Sequence, residues 1–212
     1  MKVSIFGASG ATGLLLTERC LAAGYDVAAL LRKPRAFPFL SRVRAVEGNV
    51  FDPAAVRQAI DGADVVLSAL GARSLSKEDV LERGVPVIVA AMQHAAVRRI
   101  IALGSAGAED TSLKKQAAWR RWFVQKIVYN TFLKWPVASQ RAQLAALSSS
   151  GLDWTMVMPP MLLNSPGRGV YQIDGEALPR NGSRISREDV ADFMMLQIGS
   201  PQWVGKGVYI AW

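Results

Sequence analysis

The feature that most constrains this chain is Gly7-Ala-Ser-Gly-Ala-Thr-Gly13, set directly behind the apolar run Lys2–Phe6. Val3, Ile5 and Phe6 are β-formers, so the run reads as a buried strand. A tight turn from strand to helix needs glycine because φ can be positive there. In Gly7-x-x-Gly10-x-x-Gly13 the second glycine lets backbone approach a pyrophosphate, and the third lets helix and sheet pack closely. The next helix, read over Leu14–Ala23 with Gly24 as its stop, offers free N–H groups and partial positive charge to phosphates. Ser9 and Thr12 add hydroxyl donors. No Gly-Lys-Ser/Thr ending follows, which disfavours a nucleotide-triphosphatase loop. The alternative is a tight turn without a ligand.

The end of the second strand, Asp26–Leu31, bears on which dinucleotide is bound. An NAD-specific fold places Asp or Glu about 20 residues beyond the loop, on the ribose 2′-hydroxyl. This chain has Arg32-Lys33-Pro34-Arg35 there and no acid. Basic groups suit a 2′-phosphate, so NADPH is expected over NADH. The alternative is a solvated basic turn.

Further strands are read at Val43–Val50, Ala63–Leu70, Arg99–Leu103, Asp153–Met158, Val170–Ile173 and Val208–Trp212. Helices are read from Asp52-Pro53 and over Val85–Ala96, Lys114–Leu133, Ala138–Ser149 and Ser186–Ile198. The last opens on the capping box Ser186-x-x-Asp189. Strand and helix alternate, and the early strands are continuous apolar runs. That pattern implies an α/β fold, a single Rossmann-like, doubly wound parallel sheet with helices on both faces. The whole chain, 1–212, is expected to be one NAD(P)-binding domain with a small C-terminal substrate region. Asn164–Ser183, rich in Gly, Pro and Asn, is read as loops rimming the site.

Composition removes several classes. Half of the residues are hydrophobic, enough to bury a core. One cysteine, Cys20, and one histidine, His94, cannot furnish an ordinary zinc site. They also disfavour a histidine-based triad unless His94 itself is placed for it. No apolar run reaches the roughly 18 residues that span a bilayer, and the N-terminus does not read as a signal peptide. A cytoplasmic location is expected. The net charge of +8 is concentrated, with six basic and no acidic residues from Lys114 to Lys134. A nearly neutral domain with one basic patch is not a nucleic-acid binder of the uniformly basic kind.

Gly7-Ala-Ser-Gly-Ala-Thr-Gly13 followed by Ala29-Leu-Leu-Arg-Lys-Pro34 resembles the atypical short-chain dehydrogenase/reductases of the NAD(P)H-binding, NmrA-like group. Ser150-Gly-Leu-Asp-Trp-Thr-Met-Val-Met-Pro-Pro160 and Arg184-Ile-Ser-Arg-Glu-Asp-Val-Ala-Asp-Phe-Met194 resemble its biliverdin reductase B, or flavin reductase, branch. The likeness spans nearly the whole chain and is poorest over Gly107–Val137. It implies hydride transfer from NADPH to a planar acceptor such as a flavin, a quinone or a tetrapyrrole. It assigns Gly7, Ser9, Gly10, Ala11, Thr12 and Gly13 to the pyrophosphate, and Arg32, with Lys33 or Arg35, to the 2′-phosphate. Asn49 and Val50 would flank the adenine, although the group usually has Asp where Asn49 stands. Leu70, Gly71 and Arg73 would line the ribose side. Ser105 and Pro159-Pro160 would border the nicotinamide and acceptor. Met161 stands where the flavin reductase branch has histidine, which together with the aromatic segment leaves the acceptor pocket open.

Most short-chain dehydrogenases use Tyr-x-x-x-Lys, in which one helical turn sets lysine beside tyrosine. Tyr129 and Lys134 are five apart, about 500° round a helix, and do not share a face. Alcohol dehydrogenation is therefore disfavoured, whereas an electron-poor planar acceptor needs no such pair. Ser105, at the carboxyl end of the fifth strand, is the candidate catalytic residue, its hydroxyl orienting nicotinamide or acceptor. The alternative is a serine that only caps the strand end. His94 reads as structural or surface, and Cys20 as core.

Three readings compete for the aromatic, basic stretch Lys114–Trp135. It covers the sheet or a neighbouring subunit, it closes as a lid over the acceptor, or it lies on an anionic membrane. The rival to a reductase is a dinucleotide sensor of the NmrA type that binds without turnover; a nucleotide-sugar epimerase ranks last. Oligomeric state and the physiological acceptor stay open.

Overall fold

The computed structural model describes residues 1–71 and 79–212. A central eight-stranded sheet runs β3 (Arg44–Glu47), β2 (Asp26–Leu31), β1 (Lys2–Phe6), β4 (Val65–Ser68), β5 (Arg99–Leu103), β6 (Asp153–Met158), β10 (Lys206–Ala211) and β8 (Gln172–Asp174). All neighbours pair in parallel except β8, which runs antiparallel to β10. The order reverses between β1 and β4, and ligands of such sheets bind outside the strand ends at that reversal. β7 (Met161–Leu163) and β9 (Arg184–Ser186) form a separate parallel pair.

Two apolar layers sandwich the sheet, as expected of strands buried on both faces. Val3, Ile5, Leu67, Ile101, Val157 and Val208 face α1 (Ala11–Ala22) and α6 (Arg187–Leu196). Phe6, Val66, Ile100, Met156, Met158 and Tyr209 face the layer of α2 (Pro53–Ile60), α3 (Val80–His94) and α5 (Lys134–Ser148). α1 stops as its glycine dictates. Gly24 has φ +73°, and Tyr25 N–H returns to the Cys20 carbonyl at 2.9 Å. Asp52 caps α2, accepting from the N–H groups of Ala54 and Ala55. Arg99 reaches across the amino ends of the strands to donate to the carbonyls of Asp153 and Gln197, at 2.8 and 2.7 Å, and to the Thr155 hydroxyl.

The structure corrects the sequence reading at several elements. α3 begins at Val80 rather than Val85, because Leu81 and Gly84 are buried and extend the helix ahead of Pro86. α5 begins at Lys134, since Pro136 falls in its first turn, where a missing N–H costs nothing. The expected strand Val170–Ile173 is shifted to Gln172–Asp174. Lys114–Leu133 is not one helix. Irregular turns at residues 114–117 lead into a short α4 (Ala118–Phe123) and a π-helix (Val124–Phe132), closed by Leu133 N–H on the Val128 carbonyl five residues back. The β-branched residues Val124, Ile127, Val128 and Thr131 disfavour a tight α-turn there.

Nor does that segment cover the sheet. Trp119, Trp122 and Phe132 are 74, 60 and 62 % exposed. Within it, Val124 and Tyr129 are the residues that pack against the core. The sheet face it would have covered is already occupied by α3 and α5. Among the described residues no helix is long and apolar enough to cross a membrane.

Candidate active site

The carboxyl ends of the parallel strands open into a cleft of about 330 Å³. It is lined by Gly7, Ser9, Gly10, Ala11 and Thr12, by Arg32, by Asn49 and Val50, and by Leu70 and Gly71. Four loops that lie far apart in sequence thus line one cleft. Arg73 lies outside the described residues.

The glycines have distinct duties. Gly7 sits at φ +76° with the Ala69 backbone where a side chain would go, so β1 and β4 close against each other beneath the loop. Gly13 does not line the cleft. A Cβ there would lie 2.1 Å from the Gly7 carbonyl oxygen, so this residue lets α1 dock onto the loop instead of touching a ligand. Gly10 is the open one. Its would-be Cβ meets only the Gly7 carbonyl oxygen, at 3.3 Å, and otherwise faces the cleft. α1 starts at Ala11 with no side-chain cap, three residues earlier than read. Its first-turn N–H groups and dipole are therefore turned to the cleft, a donor set suited to pyrophosphate.

Where Asn49 and Val50 line the cleft, the Asn49 side-chain oxygen Oδ1 accepts from Phe51 N–H at 2.8 Å. That turn needs a side-chain oxygen, which the aspartate usual in the group would also supply. Arg32 is exposed at the mouth, and Lys33 and Arg35 follow on a 3₁₀ turn, exposed but not lining the cleft. Among the described residues none of the three is in an ion pair.

The nicotinamide-side candidates stand apart from that cleft, at the next two strand ends. Leu103 lines the cleft, and Ser105 follows two residues on. Ala106 N–H donates to the Pro159 carbonyl at 2.9 Å, holding the ends of β5 and β6 together. Ser105 Oγ accepts only a long bond, 3.4 Å, from Gly107 N–H. Pro159 is buried, Pro160 half-buried, and Met161 is exposed at the start of β7.

Sequence reasoning missed several lining residues, Gly48, Phe51 and Val80 among them, and two of the missed ones lie far along the chain. Leu162 on β7 and Arg187, the first residue of α6, come over from the carboxyl half. Arg187 donates to Asn164 Oδ1 at 2.6 Å. The capping box marked where α6 begins, but not that β9 delivers its first turn to the strand ends. Asp189 does more than complete that box. Buried, it accepts from the Ser186 hydroxyl, from the N–H groups of Arg168 and Gly169, and from the Trp212 indole at 2.8 Å. Burial works to raise its pKa, but these bonds outweigh it and hold the carboxyl below the usual range.

Tyr129 and Lys134 are not a catalytic pair. Burial pushes the Tyr129 hydroxyl up, with Ser112 and Arg120 as its polar neighbours. The Lys134 ammonium lies 5.1 Å from the Trp135 ring centre. Cys20 is buried, and its thiol is pushed up to about 12 by that burial. His94 is exposed at the end of α3.

Comparison with known proteins agrees with this geometry. The chain is 22% identical to a wide-type short-chain dehydrogenase/reductase of Veillonella parvula solved with NADP, at a TM-score of 0.80, covering 100% of this chain and 94% of that one. It superposes on ChuY, an anaerobilin reductase of Escherichia coli O157:H7, at a TM-score of 0.83 with 21% identity, covering 100% and 97%. It is 24% identical to the UPF0659 protein YMR090W of Saccharomyces cerevisiae, over 95% of this chain and 88% of that one. Residues 7–201 match the sequence profile of a family described as NAD(P)H-binding. With its eight-stranded Rossmann-like sheet and its glycine cleft, the chain belongs to the NAD(P)H-binding family, and NAD(P)H is its cofactor.

Proposed function

We propose that this protein is a cytoplasmic, single-domain, NADPH-dependent reductase that passes hydride to a planar acceptor such as a flavin. The observation that carries this reading is the combination at the strand ends. A dinucleotide cleft opens at the strand ends, Ser105 and Pro159–Met161 follow on the next two strand ends outside its lining, and among the described residues no tyrosine–lysine pair attends it. An acceptor that needs no positioned acid fits such a site, because water can protonate the reduced ring.

The cofactor supplies the hydride when bound. The chain's own residues bind and orient. The Gly10 backbone, the Ser9 hydroxyl and the first turn of α1 hold the pyrophosphate. Arg32 takes the 2′-phosphate, with Lys33 and Arg35 adding charge from the next turn. Leu70 and Gly71 support the ribose, and Asn49 and Val50 the adenine. The Ser105 hydroxyl, only loosely held by Gly107, turns its O–H toward the nicotinamide or the acceptor. Pro160 and the exposed Met161 border the acceptor ground. A linear tetrapyrrole belongs among the acceptors to try, given the likeness to ChuY.

The test is oxidation of NADPH by the purified protein with FMN, followed by nicotinamide absorbance, with NADH as control. Turnover with NADPH and not NADH supports the reading. Tight NADPH binding with no turnover on flavin, quinone or tetrapyrrole would favour the second reading, a dinucleotide sensor, to which the missing acid–base pair also points.

A further inference from the structure

The segment between Asp110 and Asp153 contains no acidic residue. It holds the most exposed aromatic cluster of the molecule: Trp119, Trp122, Phe123 and Phe132, with Ile127 between them. A large apolar cluster left in water marks an interaction surface. None of these residues lines the dinucleotide cleft.

Charge identifies what covers them. Lys114 and Lys115 are neutralised by Glu176 and Asp174. Arg121, Lys126 and Lys134 are in no ion pair among the described residues, and they stand between the aromatics. A second copy of this chain is a poor occupant, since a twofold contact would bring these cations against their own equivalents. An anionic bilayer satisfies both halves of the pattern. Tryptophan and phenylalanine enter the headgroup–acyl boundary while arginine and lysine meet lipid phosphates. We infer that α4 and the following π-helix dock this protein on anionic membrane surfaces.

The anchorage inside the protein is consistent with that role. Val124 and Tyr129 turn inward, and the Tyr129 ring lies against Gly107, with 3.5 Å between Cζ and a Cβ placed there. Gly107 is two residues from Ser105, so the docking segment is braced on the acceptor end of the site.

The test uses the whole purified chain with two kinds of vesicle, phosphatidylcholine alone and phosphatidylcholine with one third phosphatidylglycerol. Co-sedimentation is expected to be at least tenfold stronger with the anionic vesicles and to weaken as salt is raised. Bromine-labelled acyl chains are expected to quench tryptophan emission in the anionic vesicles only. The triple change Trp119→Ser, Trp122→Ser, Phe132→Ser should abolish binding. The triple change Arg121→Gln, Lys126→Gln, Lys134→Gln should remove the anionic preference, about fivefold per residue. Both sets of side chains are exposed, so unchanged thermal melts serve as the control, and quenching in the parent chain needs no variant. Absence of binding to either vesicle, or equal binding to both, would overturn the inference. So would a concentration-dependent dimer that the aromatic changes dissolve and that ignores vesicles.

Discussion

Replacing Gly13 and Gly10 by alanine should separate the two duties of the glycine loop. At Gly13 the new methyl would lie 2.1 Å from the Gly7 carbonyl oxygen and 2.8 Å from Ala8 Cα. Both are backbone atoms, and neither can rotate away. Relief requires the Gly7 carbonyl to retreat by about an ångström, which disturbs the 2.9 Å bond it accepts from Gly10 N–H. Overpacking costs about 1–3 kcal/mol, and loss of a hydrogen bond adds about 1 kcal/mol. A total of roughly 2–4 kcal/mol lowers the melting temperature of a chain this size by about 5–15 °C. Gly10 is different. Its φ of −77° and ψ of 164° suit alanine, and the single contact at 3.3 Å yields with a small shift. Gly10→Ala should stay within about 1 kcal/mol of the parent. Its methyl would occupy the space left for pyrophosphate, so NADPH affinity should fall at least tenfold. The assay is thermal melting of both variants with and without NADPH. A Gly13→Ala protein that melts with the parent, or a Gly10→Ala protein that keeps the full NADPH-induced rise in Tm, would refute the assignment.

Arg32→Glu should cost most of the preference for NADPH, weakening its binding by about tenfold or more while NADH binding changes little; titration calorimetry with both dinucleotides checks this, and equal parental affinity for the two would contradict the basic-turn argument. Ser105→Ala should lower kcat several-fold without moving the melting temperature, and unchanged turnover would reduce Ser105 to a strand-end cap. Asp189→Asn should destabilise the protein by about 2–3 kcal/mol at neutral pH, because a buried charged acceptor of several bonds is lost. The folded-state pKa of Asp189 is lowered, so its contribution is complete above the unfolded value of about 3.9 and is lost as pH falls through the folded one; melts against pH should show parent and variant converging only in acid. Cys20 should resist thiol reagents until the chain unfolds, a difference that a timed thiol titration in and out of denaturant reads directly.

Much of the fold is legible because its rules are local. Continuous apolar runs such as Val65–Ser68 can be strands buried on both faces, and Gly24 can be little other than a helix stop. The dinucleotide loop is legible for the same reason, since its glycines, strand and helix are contiguous. Illegible parts depend on distant partners. β7 and β9 have three residues each and exist because Met161–Leu163 meets Arg184–Ser186 across the intervening loop. Arg187 reaches the cleft only through that pairing, so neither charge nor periodicity could mark it. The aromatic stripe at Trp119, Trp122 and Phe123 carries the usual pattern of a packed helix. Whether such a stripe is packed depends on whether a sheet face is vacant, and α3 and α5 had filled this one.

The two margins of the sheet differ in kind but have one effect. β3 has four residues, and its Arg44 folds back on the carbonyls of Gln58, Ala59 and Asp61 at the end of α2. At the opposite margin β8 has three residues, runs against its neighbour, and carries Asp174 tied to Lys115. A visiting strand would find too short a ladder and a charge beside it on either flank. Continuation of the sheet from molecule to molecule is therefore disfavoured at both margins. Contact between molecules at those two margins would depend on side chains rather than on backbone pairing.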